Sequence, residues 1–136
     1  MNYTIKQVSE KTHLKPHVLR YYEREGLLPF VDRSESGIRR YSEGDLEWLS
    51  LICCLKNTGM AIKQIREFVE LSLQGKETLK ERCSMLIAHK KEVEDQIAGL
   101  QKYLCKVDHK ITYFTDQYEK YMDLNSENGA VSHGSD

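Results

Sequence analysis

The chain has 136 residues, 40% hydrophobic and 30% charged, with a formal net charge of -1. That length fits one small domain plus an extension, and no apolar run reaches the roughly 20 residues of a membrane span. The near-neutral total argues against a chain that coats nucleic acid generally. The first residues lack the basic-then-apolar pattern of a secretory leader, so the four irregularly spaced cysteines are expected as thiols in a reducing cytoplasm rather than as a disulfide framework. Charge is unevenly spread: residues 1–41 hold eight Lys/Arg against five Asp/Glu, and the rest of the chain is net acidic. An anionic partner is therefore expected at the N-terminal third.

The stretch TIKQVSEKT opens with Thr4 and, three residues on, Gln7, a capping box that predicts a helix start. Ile5 and Val8 give this short helix an apolar face. After a turn at His13 and Leu14, Lys15 precedes a second helix whose first residue is Pro16, where a missing N–H costs nothing. Val18, Leu19 and Tyr22 form its inner stripe and leave His17, Arg20, Tyr21 and Arg24 largely on the other faces. Gly26 is placed to end that helix in a left-handed conformation. LLPFVDRSESGIRRY then reads as two short extended runs around a Ser/Glu/Gly turn, a β-hairpin wing offering Arg33, Arg39 and Arg40 with Tyr41 as a phenolic donor. Arginine suits phosphate because its planar fork holds two oxygens at once; taken singly, each is equally well a solvated surface charge.

LICCLKNTG, residues 51–59, sits in an amphipathic helical pattern. Cys53 and Cys54 cannot readily join to each other, because successive helical side chains diverge by about 100°. From Leu79 the apolar positions advance by alternating steps of four and three through Cys83, Leu86, Val93, Ile97, Leu100, Leu104, Val107, Ile111, Phe114, Tyr118 and Tyr121, with Lys90 the single break in the series. That is a coiled-coil seam, and at 1.5 Å per residue its helix is about 60–70 Å long, so it is expected to bury the seam on a second copy. NSENGAVSHGSD has no apolar period and is expected to be disordered.

LRYYEREGLLP, SGIRRYSEGDLEWL and LKNTGMAIKQI, in this order and followed by a long helix, resemble the MerR family of bacterial transcription regulators over residues 3–70. The resemblance implies an all-α-dominated fold: a four-helix winged helix-turn-helix with a β-hairpin wing, then a dimerisation helix forming an antiparallel coiled coil. It divides the chain into a DNA-binding domain at 1–74, the dimerisation helix at 75–122 and the tail at 123–136. It implies a homodimer on double-stranded promoter DNA, with RNA polymerase at the same promoter; no enzyme activity is expected, since no nucleophile, acid/base pair or phosphate loop stands at interpretable spacing in the sequence. The implied DNA-binding residues are Thr4, Lys15, His17, Arg20, Tyr21, Arg24, Arg33, Arg39, Arg40, Tyr41 and Lys56. Tyr22 is assigned to the core. Ala61 and Lys15 depart from the family pattern: each stands where a hydroxyl residue more usually caps a helix, at a cost of about 1 kcal/mol for alanine.

Drug-binding relatives continue into an effector domain beyond the point where this chain ends, so the signal is expected to enter the helices themselves. Within the family, ICCLKNTGM is similar to the NmlR/AdhR-like branch, implicated in responses to reactive aldehydes and thiol stress. The aligned thiol is Cys54, the candidate sensor, with Cys53 expected to be the more exposed of the two and Lys56 a candidate to favour the thiolate. Inert packing of Cys54 stays open beside this. So do metal sensing, although no metal ligand set or cofactor is assigned, and an effector-independent DNA-architectural or adaptor role. Cys83 is read as packing in the seam, Cys105 as flanking it, and His89 and His109 as solvated.

Overall fold

The computed structural model describes the backbone of residues 2–33 and 39–135 and the side chains of residues 2–31 and 40–126. The elements are helices α1 (Ile5–Thr12) and α2 (Pro16–Arg24), strands β1 (Asp32–Arg33) and β2 (Arg39–Arg40), helices α3 (Glu43–Asn57) and α4 (Ile62–Leu73), a 3-10 turn at Lys76–Thr78, and helix α5 (Leu79–Ser135). They fall into two compact units, Met1–Val93 and Glu94–Asp136.

Local chemistry sets the helix ends in the first unit. The Thr4 hydroxyl accepts from the Gln7 amide while the Gln7 side chain accepts from the Thr4 amide, so two free donors of α1 are satisfied reciprocally. Ser42 and Asp45 repeat the box at α3, with bonds of 2.8 and 3.1 Å. Lys15 and Ala61 provide no side-chain cap, as their residue types dictate, and Pro16 takes the first turn of α2. Helices α2 and α3 end alike. After α2, Gly26 (φ 75°) donates to the Glu23 carbonyl and Leu27 to that of Tyr22; after α3, Gly59 (φ 96°) donates to Lys56 and Met60 to Leu55. Both are Schellman closures, each with its apolar pair buried: Leu27 with Tyr22, and Met60 with Leu55.

The left-handed conformation makes a testable difference between two glycines with open space around them. Gly26→Ala is expected to destabilise the chain by about 1–2 kcal/mol, because a Cβ is strained at positive φ whatever the room. Gly99→Ala, inside α5, is expected to stabilise it by about 0.5–1 kcal/mol. Urea unfolding of the two variants should shift in opposite directions.

The core of this unit gathers Val8 from α1, Leu19 and Tyr22 from α2, Leu49, Ile52 and Leu55 from α3, and Ile65, Phe68 and Val69 from α4. Trp48 fastens the segment after α2 to it. Its indole N–H donates to the Leu27 carbonyl (2.7 Å), Phe30 meets its ring edge-on, and Phe68 stacks on it with centroids 6.0 Å apart. Arg66 of α4 adds an ion pair of 2.7 Å to Glu25 just beyond α2. Strands β1 and β2 pair antiparallel, Asp32 with Arg40 and Arg33 with Arg39; the turn expected at residues 34–38 lies outside the described residues.

The first turns of α5 belong to this unit, against the boundary expected at 74/75. Met85 and Leu86 pack on the core, and Val93 closes the unit. Leu86, expected in the dimer seam, is thus partly spent on the chain's own interior. The helix also runs to Ser135, past the disorder expected from residue 123. Ser, Asn and Gly each cost under about 1 kcal/mol in a helix, and an established helix extends without a new nucleation penalty.

In the second unit the side chains of Ile97, Leu100, Leu104, Val107, Ile111 and Phe114 on α5 are each at least half exposed.

Candidate nucleic-acid interface

Helix α2 is built as a two-faced rod. Leu19 and Tyr22 are buried. His17, Arg20, Tyr21 and Arg24 are exposed, and their spacing of three, one and three residues places them on one outward stripe. Lys15 stands exposed at the N-terminal end of that stripe. Among the described residues no carboxylate pairs with Arg20 or Arg24, so both guanidiniums are available to an outside anion. The stripe is held at a fixed angle by the left-handed His13 turn between α1 and α2, where Ser9 donates to the Leu14 carbonyl and Thr12 to that of Val8.

Thr4 is exposed at the α1 start, Arg40 at the end of β2 and Lys56 near the end of α3. The side chains of Arg33 and Arg39 lie outside the described residues. Tyr41 departs from expectation. It is 1% exposed, a core ring rather than a surface phenol, because its backbone bridges Tyr3 by two hydrogen bonds of 2.6 and 2.9 Å that turn the side chain inward. The Tyr3 hydroxyl is likewise engaged, donating to Glu43, and that bond with the nearby carboxylate raises it above the ordinary phenol range.

The thiols also fall the other way round from the expected order. Cys53 is half-buried and Cys54 exposed. Leu46, Leu49 and Cys53 follow one another at helical spacing, so the phase of α3 turns Cys53 to the edge of the core. It lines a cleft with Lys11, Thr12, Leu46, Leu49 and Ser50, and meets the Tyr22 hydroxyl. Burial pushes the Cys53 thiol up from its ordinary value, and the Tyr22 hydrogen bond acts against that rise. Burial first, then Cys53, also raises Tyr22. Lys56 is two residues from Cys54, a spacing at which helical side chains do not face each other, so it is not positioned to favour that thiolate. In the native chain at neutral pH, iodoacetamide is therefore expected to label Cys54 ahead of Cys53. Labelling of Cys53 should accelerate only above the usual thiol range, which peptide mass spectrometry across pH resolves.

Two residues to which the sequence analysis gave no role carry structural weight. Trp48 is the chain's single tryptophan, a signal in itself. His89 is 8% exposed rather than solvated, with Nε2 2.6 Å from the Thr58 hydroxyl. His109 is exposed on α5, 3.9 Å from the Cys105 sulfur. Among the described residues no group of three or more His, Cys, Asp or Glu is arranged to hold a metal ion, and no helix is long and apolar enough to cross a membrane.

A short helix, a tight turn and a second helix with a basic outward stripe define a helix-turn-helix DNA-binding protein. The chain belongs to the MerR family: residues 3–71 match the model of the MerR HTH family regulatory protein, and residues 46–108 that of the MerR DNA-binding region. It is 44% identical over 114 residues to an uncharacterised HTH-type transcriptional regulator of Haemophilus influenzae, covering 84% of each chain. To the transcriptional regulator AdhR of Bacillus subtilis it is 42% identical over 82 residues, 60% of this chain and 59% of that one. Its fold is similar to HiNmlR, a MerR family regulator lacking the sensor domain that was solved bound to promoter DNA. That likeness has a TM-score of 0.80 at 43% identity, over 85% of this chain and 92% of that one. A MerR family regulator from Bacillus thuringiensis follows at 0.77 and 39%, over 82% and 98%. These relatives place the chain in the NmlR/AdhR-like branch, and it is a DNA-binding transcriptional regulator.

Proposed function

We propose that the chain works as a cytoplasmic homodimer that binds a pseudo-palindromic promoter and changes its shape when Cys54 is modified by an electrophile or oxidant. The observation that carries the DNA reading is the outward stripe of α2, in a fold similar to a relative solved on promoter DNA. Arg20 and Tyr21 read base edges in the major groove, with His17 and Arg24 beside them on the stripe. Lys15, Thr4, Arg40 and Lys56 hold phosphates and fix register. The β1–β2 hairpin acts as a wing, bringing Arg33 and Arg39 to the backbone.

The apolar stripe Ile97 to Phe114 supports the dimer, since six large side chains at half exposure or more are costly on an isolated helix. Two copies paired antiparallel along this stripe hold two α2 helices for two half-sites. Cys54 is exposed, as are Cys83 and Cys105 on α5, and its place on α3 in the DNA-binding unit supports it as the thiol whose modification carries the signal. Its modification alters how the two DNA-binding lobes sit. The DNA then bends and untwists, which realigns the promoter elements for RNA polymerase. Smooth bending of such a site costs of order 1–6 kcal/mol, within reach of a modest change in protein contacts.

Selection of bound sites from a random duplex pool tests the regulator against the architectural reading. A regulator enriches one pseudo-palindrome with a specificity ratio of at least about 1000 over random DNA. An architectural protein enriches none, and that result would sink the proposal.

A further inference from the structure

We propose that the hydrogen bond between Thr58 and His89 is the joint that carries a change at the Cys54 turn of α3 into α5. The proposal rests on the reading that Cys54 receives the signal.

Thr58 caps the C-terminus of α3, and its hydroxyl lies 2.7 Å from the Cys54 carbonyl and 3.3 Å from that of Leu55. Both carbonyls accept only, so the single hydroxyl hydrogen goes to them. The Nε2 of His89, 2.6 Å from the same oxygen, must then be the donor, which fixes the neutral ring as the Nε2–H tautomer. His89 is buried beside a cleft lined by Met60, Gln64, Glu67, Met85 and Glu92. Its Nδ1 faces the Glu92 carboxylate at 3.9 Å. A proton added at Nδ1 leaves the Nε2–H in place, so the bond to Thr58 persists in both charge states. The result is a continuous chain of contacts: Cys54 carbonyl, Thr58 hydroxyl, His89 ring, α5 backbone.

Arg82 of α5 also makes directional bonds, donating to the Gly75 carbonyl (2.7 Å) and the Thr78 hydroxyl (3.1 Å), but both partners lie in the turn that leads into α5 and not on α3; the Met85 and Leu86 contacts with the core are apolar, non-directional and tolerate sliding. A hydrogen bond has a preferred distance and angle, so this one sets the register of α5 against α3. A bulky group on Cys54, one helical turn before Thr58, strains the turn whose carbonyl Thr58 holds, and the strain reaches His89 directly. His89 and Thr58 are positioning residues in this scheme.

The test is hydrogen exchange by mass spectrometry on the full-length chain carrying Cys83→Ser and Cys105→Ser, which removes the two other exposed thiols, before and after iodoacetamide, with transcription from the selected promoter measured in parallel. In this parent chain, alkylation is expected to change exchange through Leu86–Val93. In Thr58→Val and His89→Leu that change should shrink by about threefold or more, while His89→Gln, which keeps a side-chain N–H donor, retains it. Unaltered protection in the α2 and α3 core peptides shows that each variant folds. An undiminished change in Thr58→Val and His89→Leu overturns the joint, as does His89→Gln behaving like His89→Leu, which reduces the contact to packing. Cys54→Ser separates this from the signal itself. A transcriptional response that survives in Cys54→Ser overturns the Cys54 reading. A response lost there while exchange in α5 of the parent chain stays unmoved overturns the joint alone.

Discussion

Arg20→Ala is expected to weaken binding to the selected promoter site by about tenfold to a hundredfold while changing affinity for random duplex little, because in the proposed function the exposed guanidinium of α2 reads a base edge by a two-pronged hydrogen bond. The Leu19 and Tyr22 face stays intact in this variant, so the loss does not come from unfolding. Arg40→Ala should behave differently. It lies at the end of β2 and is proposed to serve the phosphate backbone, so its removal is expected to weaken specific and random DNA alike and to lower the salt slope by about one. Fluorescence anisotropy on both DNAs across salt separates the two roles. Equal effects of both substitutions on both DNAs would remove the assignment.

Replacing Leu100 and Leu104 together by Glu is expected to abolish the dimer at micromolar concentration. Each leucine is more than half exposed on the isolated chain, and burying such a side chain contributes about 1.5–3 kcal/mol. Carboxylates in the seam add a desolvation cost. DNA affinity should then fall at least about a hundredfold, because the second half-site is no longer delivered at high effective concentration. Lys102→Glu, off the stripe, serves as the control and should leave the dimer intact. Sedimentation velocity reads the first effect, and a variant that stays dimeric would show that the stripe is not the interface.

Much of the first unit is legible in the sequence because it depends on neighbours a few residues apart. Thr4 with Gln7, Pro16 at the start of α2 and Gly26 beyond its end each announce a local geometry, and each is found. The absent caps at Lys15 and Ala61 are equally local. What composition and resemblance obscured is tertiary. Tyr41 is turned inward by its bridge to Tyr3, far away in sequence, and nothing in RRY forecasts that. The order of Cys53 and Cys54 was readable from helical phase, since Cys53 stands at i+4 from Leu49; expecting Cys53 outside set that phase aside. His89 has the pattern of a solvated helix residue until Thr58 is brought beside it by the packing of Met85 and Leu86. The same packing carries the first unit to Val93, where sequence placed a boundary at 74.

The most direct measurement of the central claim is a footprint of the dimer on its selected promoter, taken before and after alkylation of Cys54, with transcription by RNA polymerase measured on the same template. A regulator that acts by distorting DNA keeps its footprint while transcription changes several-fold and new reactive positions open between the half-sites. A footprint that vanishes on alkylation, or transcription that does not respond to it, would contradict the account.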